Sequence, residues 1–370
     1  MDTERGELTE GLAGGQQGGN SGEGKASVDV AAHYNAVPEK GIGERTGSRI
    51  FYLRNFNNWI KSMLIGEFLD RLKASGITRI TALDLCCGKG GDLLKWKKGG
   101  IRHLVATDIA NISMEQCENR YKQMKEKSFS NCPVFSAEFI NIDSTMERLL
   151  DYVSDKNIVF DLCSCQFSLH YSFESERKAR QMLLNATERL RPGGYFIGTL
   201  PDAERIVHCI RQSAGNVFSN DVVRLEYSDP KAFSSGRIPV FGASFNFNLD
   251  TQVNCPEYLV HFPVIVKLLE EYDMELVYMK RFPEAMQYYK DKEGGQTLLQ
   301  QMRSLERYPP ESGVNLVGRE EEYSLAKRKL DEIIGNRTCE TEYSVGTLSE
   351  SEWQVVCMYI VFAFQKKMSG

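Results

Sequence analysis

The sequence predicts an α/β fold built on a mostly parallel, doubly wound sheet. Three observations carry that expectation. Strand-like and helix-like segments alternate over about 120 residues from Ile80 onward. The glycine-rich turn "CCGKGG" (86–91) directly follows an apolar run and precedes a helical pattern. One acid closes each of three successive strand-like runs: Asp84, Asp108 and Asp143. Ligands of such sheets bind at the carboxyl ends of the strands, where these acids line a crevice.

Ahead of the first strand, "SRIFYLRNFNNWIKSMLIGEFLDRL" (48–72) reads as a long amphipathic helix. The expected strands are "ITALDLCC" (80–87), "HLVATDI" (103–109), "CPVFSAEFINID" (132–143), "NIVFDLCSCQF" (157–167) and "GGYFIGTL" (193–200). Between them, "GDLLKWKK", "SMEQCENRYKQMK", "TMERLLDYV" (145–153) and "ESERKARQMLLNATERL" have helical spacing. The second half is less regular. It contains expected strands in "VVRLEYS", "FGASFNFNL" and "MELVYMK", helices near 262–272 and 319–334, and a final apolar strand "WQVVCMYIVFAF" (353–364). Residues 1–29 are rich in Gly, Glu and Gln and are expected to form a disordered leader. The remainder, 30–370, reads as one catalytic domain with a charged surface insertion at about 290–345.

Composition narrows the function. A net charge of -5 argues against coating nucleic acid over the whole surface, so any anion is gripped locally. The ten cysteines form no CxxC pair and no regular framework, which fits a reduced setting without structural zinc or another metal. There is no apolar run of membrane-span length and no signal peptide pattern.

In the strand-turn-helix reading, Gly88, Gly90 and Gly91 let the backbone approach a ligand and aim amides at it. Asp108 lies 20 residues after Gly88, the spacing at which an acid reaches ribose hydroxyls. "CCGKGG" matches neither G-x-G-x-x-G nor G-x-x-x-x-G-K-[ST]. A nucleoside ligand with an amine that Asp84 can meet remains, and S-adenosylmethionine fits: it has a ribose diol, an adenine, an amino acid tail and no pyrophosphate.

"DLCCGKGGDLLKWKKG", "RNFNNWIK", "TDIA", "CSCQFSLHYSFES" and "LRPGGYFIGT" together resemble the eukaryotic mRNA cap guanine-N7 methyltransferases, from about residue 30 to the C-terminus. The resemblance implies a class I methyltransferase fold: a Rossmann-like seven-stranded sheet whose last strand is antiparallel, with inserted cap-binding elements. It implies that Lys61, Asp84, Cys86, Gly88, Asp108, Asp143, Gln166 and Tyr171 surround the methyl donor. This chain departs from the family at Cys86, where glycine is usual. A Cβ there either crowds the donor's tail or holds φ below zero, at a cost on the order of 1 kcal/mol if glycine's freedom is needed.

Lys89 and Lys95 lie in and after the glycine turn and Arg120 one helix later, so all three can face one crevice mouth. By resemblance they contact the cap triphosphate, while Asn57, Asn58, His170, Glu257 and Tyr359 form the cap pocket. Glu257, His170 and Tyr171 then orient guanine, and no residue serves as acid or base. The implied substrate is 5′-capped pre-mRNA, with no membrane partner and no reading of DNA sequence. A small activating protein on the 290–345 insertion and residence in the nucleus follow from the same resemblance. Methylation of another RNA or a small molecule, and an inactive cap-binding scaffold, stay open as alternatives.

Overall fold

The computed structural model describes residues 25–36, 43, 46–128, 134–250, 253–335 and 343–368. Helix α1 (Lys25–Ala36) comes first, so residues 25–29 of the expected leader are helical and 1–24 lie outside the described residues. Helix α2 (Phe51–Ala74) buries Leu53, Phe56, Trp59, Ile60, Leu64 and Phe68. The positions recur at three and four residues, the stripe of a helix laid on a sheet.

The first half then alternates as expected. Strand β1 (Thr81–Leu85) leads through the glycine turn to α3 (Leu93–Gly99), then β2 (His103–Asp108), α4 (Asn111–Glu126) and β3 (Ser136–Asn141). The helix expected over 145–153 is reduced to one 3₁₀ turn, Leu149–Asp151. Asn185 explains the difference. Its side chain accepts from Leu149 N at 2.8 Å and donates to the carbonyls of Ser144 and Glu147 at 2.9 and 2.8 Å, taking backbone groups a helix would use. Strand β4 (Phe160–Gln166), helix α5 (Glu176–Thr187) and strand β5 (Leu190–Pro201) complete the alternating part.

Helix α6 (Ala203–Gln212) leads into a second sheet of β6 (Val217–Ser219), β7 (Val223–Tyr227), β8 (Ser244–Leu249) and β9 (Val253–Tyr258), paired antiparallel in chain order, with the short α7 (Pro230–Ser234) between β7 and β8. Next come α8 (Phe262–Glu270), β10 (Met274–Arg281), α9 (Phe282–Lys290) and α10 (Gly295–Gln301). The charged insertion contains β11 (Glu306–Tyr308), α11 (Ser324–Gly335) and β12 (Val345–Thr347) around a small core of Tyr308, Tyr323 and Ala326. Residues 336–342 of it lie outside the described residues.

The expected last strand divides in two. Glu350–Val356 is a helix, α12, and only Tyr359–Lys366 is strand β13. Ser349 and Glu352 explain this by forming a reciprocal capping box that starts a helix inside the apolar run.

The main sheet has the order β10-β13-β5-β4-β1-β2-β3. β13 runs antiparallel to both β5 and β10, and the remaining pairs are parallel. This is the seven-stranded, mostly parallel sheet of a class I methyltransferase. Both faces are covered: Ala82 of β1 joins the core under α2 and α3, while Leu83 and Leu85 join the core under α5 and α8. No described helix is long and apolar enough to cross a membrane.

Candidate active site

The chain leaves β1 into a turn whose backbone is left-handed at three places: Cys86 (φ 58°), Gly88 (φ 53°) and Gly90 (φ 75°). At Gly90 a Cβ would sit 2.7 Å from a Leu93 methyl and 2.8 Å from Cys117 Sγ, so only glycine fits. For Cys86 the structure excludes one of the two expected outcomes. Its φ is not held below zero; the turn keeps the glycine conformation with a side chain attached, which costs about 1–2 kcal/mol. The turn is fixed from β2: Gly88 N donates to Asp108 Oδ2 and Ala110 N to Asp108 Oδ1, both at 2.8 Å. Burial raises the Asp108 carboxyl's pKa, and these amides oppose the shift.

Beneath the turn lies a buried charge cluster. Lys61 of α2 and Lys95 of α3 each place Nζ 2.8 Å from Asp92 Oδ1. Burial opposes ionisation of Asp92, but the two ammonium groups prevail and hold its carboxyl well below the usual range. Asp84, at the end of β1, accepts from Trp96 Nε1 at 3.0 Å. Burial and the neighbouring Asp92 charge push Asp84 up to about 7. Lys95 also donates to Asn58 Oδ1 and to the Gly91 carbonyl. The structure therefore turns Lys95 and Asn58 inward, toward the glycine turn, where sequence reasoning had them meeting the cap.

A cleft of about 620 Å³ opens at the carboxyl edge of β1, β2 and β3. Cys86, Asp108, Asp143 and Tyr171 line it together. Lys61, Asp84, Gly88 and Gln166 are not among its lining residues. Gly88 bounds the turn beside it, and Lys61 and Asp84 sit in or against the charge cluster. Gln166, ending β4, donates to Ser164 Oγ at 2.9 Å and accepts from Thr199 Oγ1 at 3.1 Å. Val30, Ile142, Met182 and Tyr258 give the cleft an apolar end. A carboxylate at the end of β2 and an apolar slot beside Asp143 suit a ribose diol and an adenine ring.

A second cavity, about 590 Å³, adjoins the first. It is lined by Asn57 and Arg54 of α2, by Phe167 and His170, by Glu257 of β9 and by Tyr359 of β13. Glu257 Oε2 and His170 Nε2 lie 3.4 Å apart, and both residues are buried. Glu257 Oε2, both His170 nitrogens and Asn57 Oδ1 have no hydrogen-bond partner among the described residues. Such atoms cost free energy unless something satisfies them. The His170 and Tyr171 rings pack at 4.2 Å, and Tyr359 sits edge-on to Phe167 at 5.1 Å.

Tyr34 of α1 lines both cavities. Its hydroxyl lies 3.0 Å from that of Tyr171, which also donates to Glu257 Oε1 at 3.3 Å. Burial raises the pKa of both phenols, so they stay neutral donors. Sequence reasoning missed Tyr34, Asp92 and Phe167. Asp92 was readable as an acid directly after the last glycine of the turn and beside a lysine-rich helix, whereas nothing local marks Tyr34. Lys89 is half-buried within the turn and Arg120 half-buried on α4.

The mRNA (guanine-N(7))-methyltransferase domain family matches residues 18–367. A Caenorhabditis elegans protein named mRNA cap guanine-N(7) methyltransferase is 47% identical over 345 residues, covering 93% of this chain and 88% of that protein. The Drosophila melanogaster protein of the same name is 43% identical over 91% of this chain and 76% of its own length. In Oryza sativa, mRNA cap guanine-N(7) methyltransferase 1 is 36% identical over 96% of this chain and 86% of its own length. The match over nearly the whole chain, on a sheet of the order found here, places this protein in the mRNA (guanine-N7) methyltransferase family.

Proposed function

We propose that this chain transfers a methyl group from S-adenosylmethionine to N7 of the terminal guanosine of 5′-capped pre-mRNA. The observation that carries the reading is the buried Glu257–His170 contact at 3.4 Å, with His170 Nδ1 and Asn57 Oδ1 left without a hydrogen-bond partner among the described residues, in a cavity that shares Tyr34 and adjoins Tyr171 of the donor cleft. Guanine's Watson–Crick edge offers N–H donors that a buried carboxylate such as Glu257 satisfies, and the Tyr and His rings supply flat surfaces.

S-adenosylmethionine, when bound, supplies a methyl group already activated on a sulfonium. Guanine N7 carries a lone pair and no proton, so the residues have no proton to remove. Their work is placement: Asp108 and Asp143 hold the nucleoside, Asp84 lends its charge from behind the glycine turn, and Glu257 with Tyr171 fixes guanine. Such orientation can supply roughly 7–11 kcal/mol in favourable cases. Lys89 and Arg120 serve the triphosphate bridge, where cations are needed to desolvate phosphate charge. The charged insertion is a docking place for a small activating protein, and the enzyme works in the nucleus where capping accompanies transcription.

The test is donor binding by calorimetry followed by methyl transfer to a guanosine-capped oligonucleotide, with Glu257→Ala alongside. Removing hydrogen bonds to a charged acceptor costs about 3 kcal/mol, or roughly 100-fold in kcat/KM for the capped substrate. Donor affinity should persist. Unchanged methylation by Glu257→Ala at limiting cap would overturn the pocket assignment. Donor binding with no transfer to the cap would favour the scaffold, and transfer to uncapped RNA or a small molecule the other alternative.

A further inference from the structure

Helix α2 carries a wall of the substrate cavity on its first turns, and Lys61 to the donor turn further along. Yet its N-cap residue, Ile50, offers no side-chain acceptor and the first turn has no acid; locally only Ser48 helps, its carbonyl accepting from Phe51 N at 3.0 Å and its Oγ from Ile50 N at 3.4 Å. An uncapped start leaves backbone amides unsatisfied. Leu53 N instead donates to Glu352 Oε1 at 3.1 Å, across 299 residues of sequence. Glu352 is fully buried. Its other oxygen accepts from Ser349 N at 3.2 Å and Ser349 Oγ at 2.9 Å, closing the box that starts α12. One carboxylate thus caps two helices. Each leads into a different cavity wall: Ile50, Leu53, Arg54 and Asn57 on one side, and Tyr359, three residues beyond α12, on the other.

Arg49, just before α2, joins this junction to the surface insertion. Its Nη1 donates to Ser349 Oγ at 3.0 Å and lies 3.7 Å from Glu352 Oε2. Its Nη2 donates to Glu322 Oε2 at 2.7 Å. Glu322 lies in the 3₁₀ turn ahead of α11, and its oxygens also accept from Ser351 N at 3.1 Å and Arg319 N at 3.0 Å. A continuous polar chain therefore runs from the insertion through Arg49 and Glu352 to the Leu53 amide.

We propose that Glu352 and Arg49 are positioning residues for methyl transfer: the buried carboxylate sets the spacing of the two cavity walls, and Arg49 makes that spacing depend on the insertion. The inference rests on the cavity being the guanine site. Neither residue touches substrate. What they fix is the position of the first turns of α2, and with it Asn57 and the opposing Tyr359.

The experiment uses the full chain and five variants: Glu352→Gln, Arg49→Met, Arg49→Lys, Glu322→Gln and the double variant Arg49→Met with Glu322→Gln. Steady-state kinetics on a guanosine-capped oligonucleotide are paired with donor calorimetry and thermal melting. Glu352→Gln and Arg49→Met should raise KM for the cap on the order of tenfold, as small misplacements do, with donor Kd within about twofold of the unaltered protein. Arg49→Lys should recover part of the loss, and Arg49→Met combined with Glu322→Gln should be no worse than Arg49→Met alone. The proposal is overturned if folded variants keep the parental KM, or if cap and donor binding weaken together in step with melting temperature. Should Glu352→Gln fail to fold, the milder Glu322→Gln and Arg49→Lys pair decides by the same two readouts. Failure of the unaltered protein to methylate capped RNA would instead remove the underlying functional reading.

Discussion

Tyr34 and Tyr171 meet hydroxyl to hydroxyl at 3.0 Å, at the seam between the donor cleft and the substrate cavity. The first comes from α1, the second from the 3₁₀ turn after β4, and their rings stand nearly perpendicular at 85°. Tyr171 in turn reaches Glu257. The contact thus ties the N-terminal helix to the Glu257 side of the second cavity. Removing the Tyr34 hydroxyl while keeping its ring should cost about 1 kcal/mol, or about fivefold in kcat/KM for capped RNA. Kinetics of Tyr34→Phe check this, and an unchanged kcat/KM would make the contact incidental.

The lysines of the glycine turn should separate by substitution. Lys95 is occupied by Asp92, Asn58 and the Gly91 carbonyl, so Lys95→Ala should disturb the donor turn by leaving Asp92 with one cation. Breaking a buried pair in this way is costly, on the order of 3 kcal/mol. Lys89→Ala should instead weaken a capped oligonucleotide several-fold, by about 1 kcal/mol, and a bare guanosine analogue hardly at all. Calorimetry with donor, capped RNA and guanosine resolves the two patterns.

Asp84 predicts a pH dependence. Its carboxyl is pushed up to about 7 by burial and the adjacent Asp92 charge. Below that pH it is neutral and no longer lends a negative charge behind the donor turn. Donor affinity should therefore fall about tenfold between pH 8 and pH 6, with proton release on binding near neutrality. Asp84→Asn should flatten the profile. The sign for folding is opposite: a carboxyl raised from 3.8 contributes most to stability in acid, and that contribution is lost as pH rises through about 7.

Cys86 stands where the backbone wants glycine. At φ 58° its side chain carries strain that Cys86→Gly would relieve, stabilising the fold by about 1 kcal/mol, or about 2 °C in Tm. Donor affinity should hold or improve, since the substitution opens the cleft wall. A lowered melting temperature would show that the cysteine's packing outweighs its strain.

The first half of the molecule was legible because its signals are local. Asp84, Asp108 and Asp143 recur at or just past the ends of apolar runs that mark strands, and parallel register brings those ends together. Glu257 was found only through its motif, since β9 pairs within a small antiparallel sheet that sequence spacing did not outline. Tyr34 reaches the site through tertiary packing of α1, which no short window encodes. α12 is a different case. Its start signal, Ser349 followed by Glu352 three residues later, was in plain sight, but the apolar run through Ile360 and Phe364 outweighed it.

The placement of β13 bears on synthesis of the protein. The thirteenth strand in chain order lies in the interior of the sheet, between β5 and β10, and its first residue, Tyr359, lines the second cavity. A polypeptide still on the ribosome short of this strand has two unpaired edges where a neighbour should be, and such edges invite aggregation and degradation. Prematurely terminated translation products would thus be removed by quality control, not accumulate as half-sites that trap transcripts without modifying them.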